Sequence, residues 1–135
     1  MSVIVTDAGF GPEDWNAGFT ALPDLTPDTR ALDLPNTADP AALAPHLPHL
    51  ALIRVAFPAF NDGRGFTLAR RLRMLGYTGR LRAQGHVIAD QYAMARRVGF
   101  DEVEIADDLA TRQPACQWQA RADWRAHDHQ SRLRA

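Results

Sequence analysis

The chain has 135 residues, a formal net charge of −1 and 46% hydrophobic residues, which suits one domain with one core and leaves no global field to recruit nucleic acid or a membrane surface. A single cysteine, Cys116, excludes an internal disulfide and a cysteine-only metal cluster. All 15 basic side chains other than histidine are arginine, so lysine imine chemistry and pyridoxal-phosphate attachment are excluded, while forked donors for carboxylate, phosphate or sulfate oxygens are plentiful.

No apolar run reaches membrane-spanning length, and the start of the chain lacks the basic region and apolar block of a secretory signal. A cytoplasmic protein is expected. Ser2-Val3-Ile4-Val5-Thr6 reads as a short edge strand. Residues 7–31, broken by Gly9, Gly11, Pro12, Pro23 and Pro27, read as an irregular arm with one turn of helix near Asp14. Trp15 and Phe19 are expected to pin it to the body. A structureless stretch this long is uncommon in a compact domain, so reach across a neighbouring subunit is the alternative. The organisation expected is an N-terminal arm (1–31), an α/β domain (32–118) and a polar tail (119–135).

Leu32-Asp33-Leu34 is a second short strand. Asp39-Pro40 then supplies a capping acceptor and a proline at the first helical position, predicting a helix to about Leu47 that stops before Pro48. His46 and His49 read as helix-end residues, with no third metal ligand near them in sequence.

The next seventy or so residues carry an echo. Ala69-Arg70-Arg71 leads to Gly76-Tyr77 and then Arg80-Leu81-Arg82-Ala83; Ala95-Arg96-Arg97 leads to Gly99-Phe100 and then Glu102-Val103-Glu104-Ile105. Each copy reads as helix, glycine stop, aromatic anchor, strand. Strands at 51–57, 80–84 and 102–105 alternating with helices predict an α/β fold with a mostly parallel sheet of about four strands, built from successive βα units and half-barrel-like.

Side chains two apart share a strand face. One face then holds Ile53, Val55, Phe57, Leu81, Ala83, Val103 and Ile105, and should lie under the helices. The other holds Arg54, Arg80, Arg82, Glu102 and Glu104, with Arg54, Arg82 and Glu104 placed to form an ionic row. This polar face is expected to line a shallow half-barrel, meet a second subunit in a homodimer, or face solvent. Beyond residue 106, Asp107 to Gln113 reads as a short helix ended by Pro114, and Cys116-Gln117-Trp118 as a last extended segment. His127-Asp128-His129 in the polar tail makes a poor preorganised metal site.

The organising stretch is Phe57-Pro58-Ala59-Phe60-Asn61-Asp62-Gly63-Arg64-Gly65-Phe66, a strand, turn and helix start. Open α/β sheets place their sites at such strand ends. Asp62 and Arg64 follow one strand, and His86 to Asp90 and Gln91, opened by Gly85, follow its neighbour. Asp62, Arg64, Arg82, His86, Asp90 and Gln91 are therefore expected to converge. Arg64, Arg82, Gly63, Gly65 and Gln91 form the predicted anion site, near helix amides that favour negative charge. His86, Asp62 and Asp90 are the candidate proton carriers; Asp62 and Asp90 read equally well as helix caps.

Leu52-Ile53 to Phe57-Pro58, the Phe60 to Phe66 run, Ala69-Arg70, Leu72-Arg73, Leu81 to Gly85, Asp90-Gln91 and Arg97 with Gly99-Phe100-Asp101 together resemble the bacterial domain-of-unknown-function family 934. The resemblance covers about residues 30–118. It implies a small bacterial protein of the kind described as a probable oxidoreductase involved in sulfite reduction, associated with assimilatory sulfite reductase. It marks Asp62-Gly63-Arg64-Gly65 and Asp90-Gln91 as functional positions, and lends His86 no role, since many members carry an acidic or small residue there. Sulfite reduction needs a redox centre; one cysteine cannot hold an iron–sulfur cluster alone, and no flavin, nicotinamide, nucleotide or zinc fingerprint is present. No cofactor is expected. The leading expectation is an accessory protein, or probable oxidoreductase component, that partners sulfite reductase or another sulfur-assimilation enzyme. The alternatives are an enzyme acting on a sulfur oxyanion or phosphorylated metabolite, and a ligand-free homodimeric scaffold.

Overall fold

The computed structural model describes residues 2–122. Seven strands form one sheet: β1 (Ser2–Thr6), β2 (Gly9–Gly11), β3 (Thr20–Ala21), β4 (Ala31–Leu34), β5 (Leu52–Phe57), β6 (Arg80–Gly85) and β7 (Glu102–Ala106). Their order is β2-β1-β7-β6-β5-β4-β3. The mixed α/β class and mostly parallel sheet agree with expectation. The count of about four strands is corrected to seven. Ser2–Thr6, expected as an edge strand, is β1 and lies inside the sheet between β2 and β7; the strands not foreseen are β2, antiparallel to β1, and β3, parallel beside β4. The segment read as an arm is part of the sheet. Short strands of two or three residues carry too little alternation to be read from sequence.

The helices are α1 (Arg64–Met74), α2 (Tyr92–Val98), α3 (Asp107–Arg112) and α4 (Ala115–Gln119). Strands β4 to β7 cross the sheet in chain order, so every crossover steps the same way. Right-handed crossovers then put their helices on one face. That face is the one parity assigned. Ile53, Val55, Phe57, Leu81, Ala83, Val103 and Ile105 form one core with Phe66, Ala69 and Leu72 of α1 and Tyr92 and Ala95 of α2. Each large apolar side chain buried there contributes about 1.5–3 kcal/mol.

The echo is real. Gly76 and Gly99 adopt φ of +98° and +117°; Tyr77 N donates to Leu72 O and Phe100 N to Ala95 O, closing α1 and α2 alike. Tyr77 and Phe100 are buried as the anchors that follow.

Three local readings are corrected. The helix after Asp39 is a 3-10 helix, Pro40–His49, that continues through Pro48. Pro45 and Pro48 remove amides from the i→i−4 ladder of an α-helix, which does not form over this span. Asp39 still caps it, accepting from Ala41 N at 3.0 Å. No helical turn forms near Asp14; a short 3-10 helix lies at Leu22–Asp24 instead. Residues 116–118 are helical in α4, where Trp118 buries its ring against Tyr92 and donates Nε1 to Gln113 O. The tail from residue 123, with His127 to His129, lies outside the described residues. Among the described residues no helix is long and apolar enough to cross a membrane.

Candidate ligand clefts at the sheet rim

The two loops predicted to meet do meet. His86 N donates to Phe57 O at 2.9 Å, and His86 Nδ1 lies 3.2 Å from the same oxygen. Gln91 Nε2 donates to Phe60 O at 3.0 Å while its Oε1 accepts from Ile88 N. The Phe60 and His86 rings meet edge to face, 4.9 Å apart. Gln91 is thus a brace between loops. Its Oε1 and one of its two Nε2 hydrogens go to this brace, a positioning role beside the anion contact expected of it.

Arg82 is corrected as well. It points to the polar face and is fully buried. Its Nε donates to Glu102 (2.6 Å), its Nη1 to Glu13 (2.6 Å) and Glu104 (2.7 Å), and its Nη2 to Glu13 (2.9 Å). Asp14 stands 3.5 Å from Nη2. No face of the fork is left for an outside anion. Burial works against its charge, but these carboxylates outweigh burial and raise its pKa further above the usual arginine value. Arg54 lies directly opposite Arg82 in register, an arrangement that repels. Glu104 relieves it, with Oε1 accepting from both guanidinium groups, and Asp33 takes the outer side of Arg54. The expected ionic row is present. The half of the polar face toward the start of the strands is covered by the chain's own residues: Glu13 on Arg82, Asp14 on Arg80, and the Phe19 ring 3.7 Å from the Arg54 guanidinium carbon.

Asp62 and Arg64 form a closed local pair on the helix side. Arg64 donates from Nε and Nη2 to the two Asp62 oxygens and from its backbone N to Oδ1; Asn36 adds a hydrogen bond to Oδ2. The Arg64 guanidinium, its backbone amide and Asn36 hold the Asp62 carboxyl well below the usual carboxylate range. Held by these donors, Asp62 supports the loop. Gly65 is also corrected: a Cβ there would stand 2.5 Å from the Phe57 ring, so its small size serves helix-to-strand packing. A Cβ on Gly63 would meet nothing within 4 Å. Asp90 is exposed and ion-paired with Arg121 at 2.9 Å, and does not cap α2.

Clefts among the described residues border these elements. One, of about 260 Å³, lies at the carboxyl ends of β6 and β7 and is lined by Phe60, Gln84, His86, Glu104, Asp108 and Arg112 among others. A second, of about 360 Å³, lies on the helix side between Asn36 and α1, with Arg64, Thr67 and Arg71 on its wall. The third, of about 450 Å³, lies beside β4 and β5, between Leu22-Pro23 and Arg54, Ala56 and Gln84. Asn36, Arg71, Gln84 and Arg112 went unremarked as site residues in the sequence; only the spacing of 64, 67 and 71 on one helix face hinted at the second cleft.

A family model described as "Bacterial protein of unknown function (DUF934)" matches residues 31–132. The chain belongs to this family. The DUF934 match includes every parallel strand except β3 and the whole lining of the helix-side cleft, and leaves out Leu22-Pro23 on the third cleft and the Glu13 and Asp14 that cover the arginines. No curated protein and no solved structure matches the chain.

Proposed function

We propose that this protein is an accessory factor of assimilatory sulfite reduction that presents a small oxyanion site to sulfite reductase or another sulfur-assimilation enzyme. Membership of the DUF934 family and the resemblance behind it support the pathway. A lone cysteine and the absence of any flavin or nicotinamide fingerprint support an accessory over an electron-carrying role. The carrying observation is the helix-side cleft. Arg64 and Arg71 lie two helical turns apart on one face of α1, with Thr67 between them, and all three line the same cavity. Arg71 makes no ion pair among the described residues. Arg64 is 62% exposed in its pair with Asp62, and exposed pairs exchange partners at little cost. The anion site thus moves from the Arg64–Arg82 pair to Arg64 and Arg71.

The test is calorimetry with sulfite, sulfate and inorganic phosphate on the whole protein. Arg64→Ala and Arg71→Ala should each remove binding while leaving the melting curve unchanged; unchanged affinity in both rejects the oxyanion site. Affinity capture tests the pathway separately: sulfite reductase should co-purify, and a deletion strain should require cysteine. A prototrophic deletion strain with no captured reductase rejects the accessory role.

A further inference from the structure

The polar face of the sheet is finished in one half and open in the other. Toward the start of the strands, Asp33, Arg54, Arg82 and Glu102 lie in one register row, and Glu13 and Phe19 close over it. Toward the carboxyl ends the next row is Ala56, Gln84 and Glu104. Two cavities, of about 260 and 450 Å³, open on this row, and Gln84 lines both.

Gln84 is half-buried, and its amide has no hydrogen-bond partner among the described residues. An amide offers two donor hydrogens and an acceptor oxygen and carries no charge. The charged neighbours on this face are matched inside the chain, so the unspent Gln84 amide suits a ligand that both accepts and donates. The smaller cavity adds charge of both signs. Asp108 and Arg112 sit one helical turn apart on its wall, 3.6 Å from each other and 77% and 66% exposed. A simple anion there would take Arg112 and strand Asp108; a simple cation would do the reverse. A ligand carrying both charges a few bonds apart replaces one loose pair with two. Phe60, Ile105 and Leu109 on the same cavity, and Leu34, Pro35 and Ala56 on the other, offer apolar surface for an aliphatic group. The smaller volume lies just under the roughly 300–1,000 Å³ range of drug-sized ligand pockets, which suits a small metabolite.

The geometry points to a second binding site here, for a small zwitterion of the α-amino-acid type, with its carboxylate on Arg112, its ammonium on Asp108 and its polar edge on Gln84. The location follows the fold. All crossover helices occupy one face, so the other remains open at the strand carboxyl ends, where the loops diverge. The site is separate from the oxyanion cleft, which lies on the helix side between Asn36 and α1.

Calorimetry on the whole protein tests this with glycine, alanine and serine, and with acetate and methylammonium as the two halves of the zwitterion. The amino acids should bind, and each half should bind at least about tenfold more weakly. Arg112→Ala and Gln84→Leu should each lower amino-acid affinity by about tenfold or more, while Arg64→Ala leaves it unchanged. Acetate binding as tightly as the amino acids overturns the ligand class. No heat with any amino acid at millimolar concentration overturns the site. If Gln84→Leu lowers the melting temperature, exposed Arg112 decides, and wild-type affinity in Arg112→Ala overturns the assignment.

Discussion

Arg82 and Glu13 are joined by two hydrogen bonds, of 2.6 and 2.9 Å, across a sequence separation of 69 residues. The contact ties the loop between β2 and β3 to the middle of the sheet. It also turns a fork that reads as a ligand group into part of a buried charge lattice with Glu102 and Glu104. A parallel sheet normally has both faces covered; here helices cover one face and this loop covers half of the other.

Removing Arg82 should therefore be a folding lesion. Arg82→Met leaves Glu102 and Glu104 buried without their shared partner. Breaking a buried ion pair from one side costs about 3–5 kcal/mol. Urea unfolding should show a loss of that size, whereas Arg64→Met, on the surface, should leave the midpoint where it was.

The loop should loosen in acid. Burial pushes the Glu13 carboxyl up, but its hydrogen bond to Arg82, the Trp15 amide and the Arg82 charge outweigh this and hold it below its ordinary 4.5. The Arg80 hydrogen bond likewise lowers Asp14. Folded values below unfolded ones mean that the stabilisation is complete above about pH 4.5 and is lost as pH falls through the folded values. Limited proteolysis between residues 12 and 19 should accelerate across that window. Glu13→Gln should flatten the pH dependence, and an equally steep profile in that variant would refute the assignment.

Glycines of the two rim loops should divide into two kinds. Gly65→Ala drives a methyl into the Phe57 ring, and Gly85→Ala, at φ +117°, sets one 2.6 Å from Phe57 O. Overpacking and a left-handed side chain each cost about 1–3 kcal/mol, so both variants should melt lower. Gly63→Ala meets open space and should melt close to wild type.

The end of the described chain should matter to the core. Trp118 is fully buried against Tyr92, whose hydroxyl donates to Asp7 just after β1. Trp118→Ala should cost about 3–5 kcal/mol in thermal or urea unfolding. A change under 1 kcal/mol, the size of about one lost surface contact, would mean that α4 is an ornament on the fold.

Much of this was legible before any coordinates. Strand parity placed Ile53, Val55 and Phe57 under the helices because a period of two forces alternate side chains to opposite faces. The repeated glycine and aromatic at 76–77 and 99–100 marked two helix ends because few other residues accept a positive φ. Strand parity put Arg54, Arg82 and Glu104 on one face, where they touch. The meeting of the 58–62 and 86–91 loops followed from two adjacent parallel strands.

What each polar side chain does once assembled was not legible. The sequence by itself determined the βα units, the apolar face and the rim, since these rest on local periodicity and backbone preference. Only the tertiary structure decided that Glu13 takes Arg82, that Asp62 takes Arg64, and that Arg71 and Gln84 find no polar partner among the described residues. Hydrogen bonds of this kind form between residues distant in the chain, and an arginine fork binds a neighbour's carboxylate as readily as a ligand's. Which one it meets depends on where the whole chain folds, and no local pattern records that.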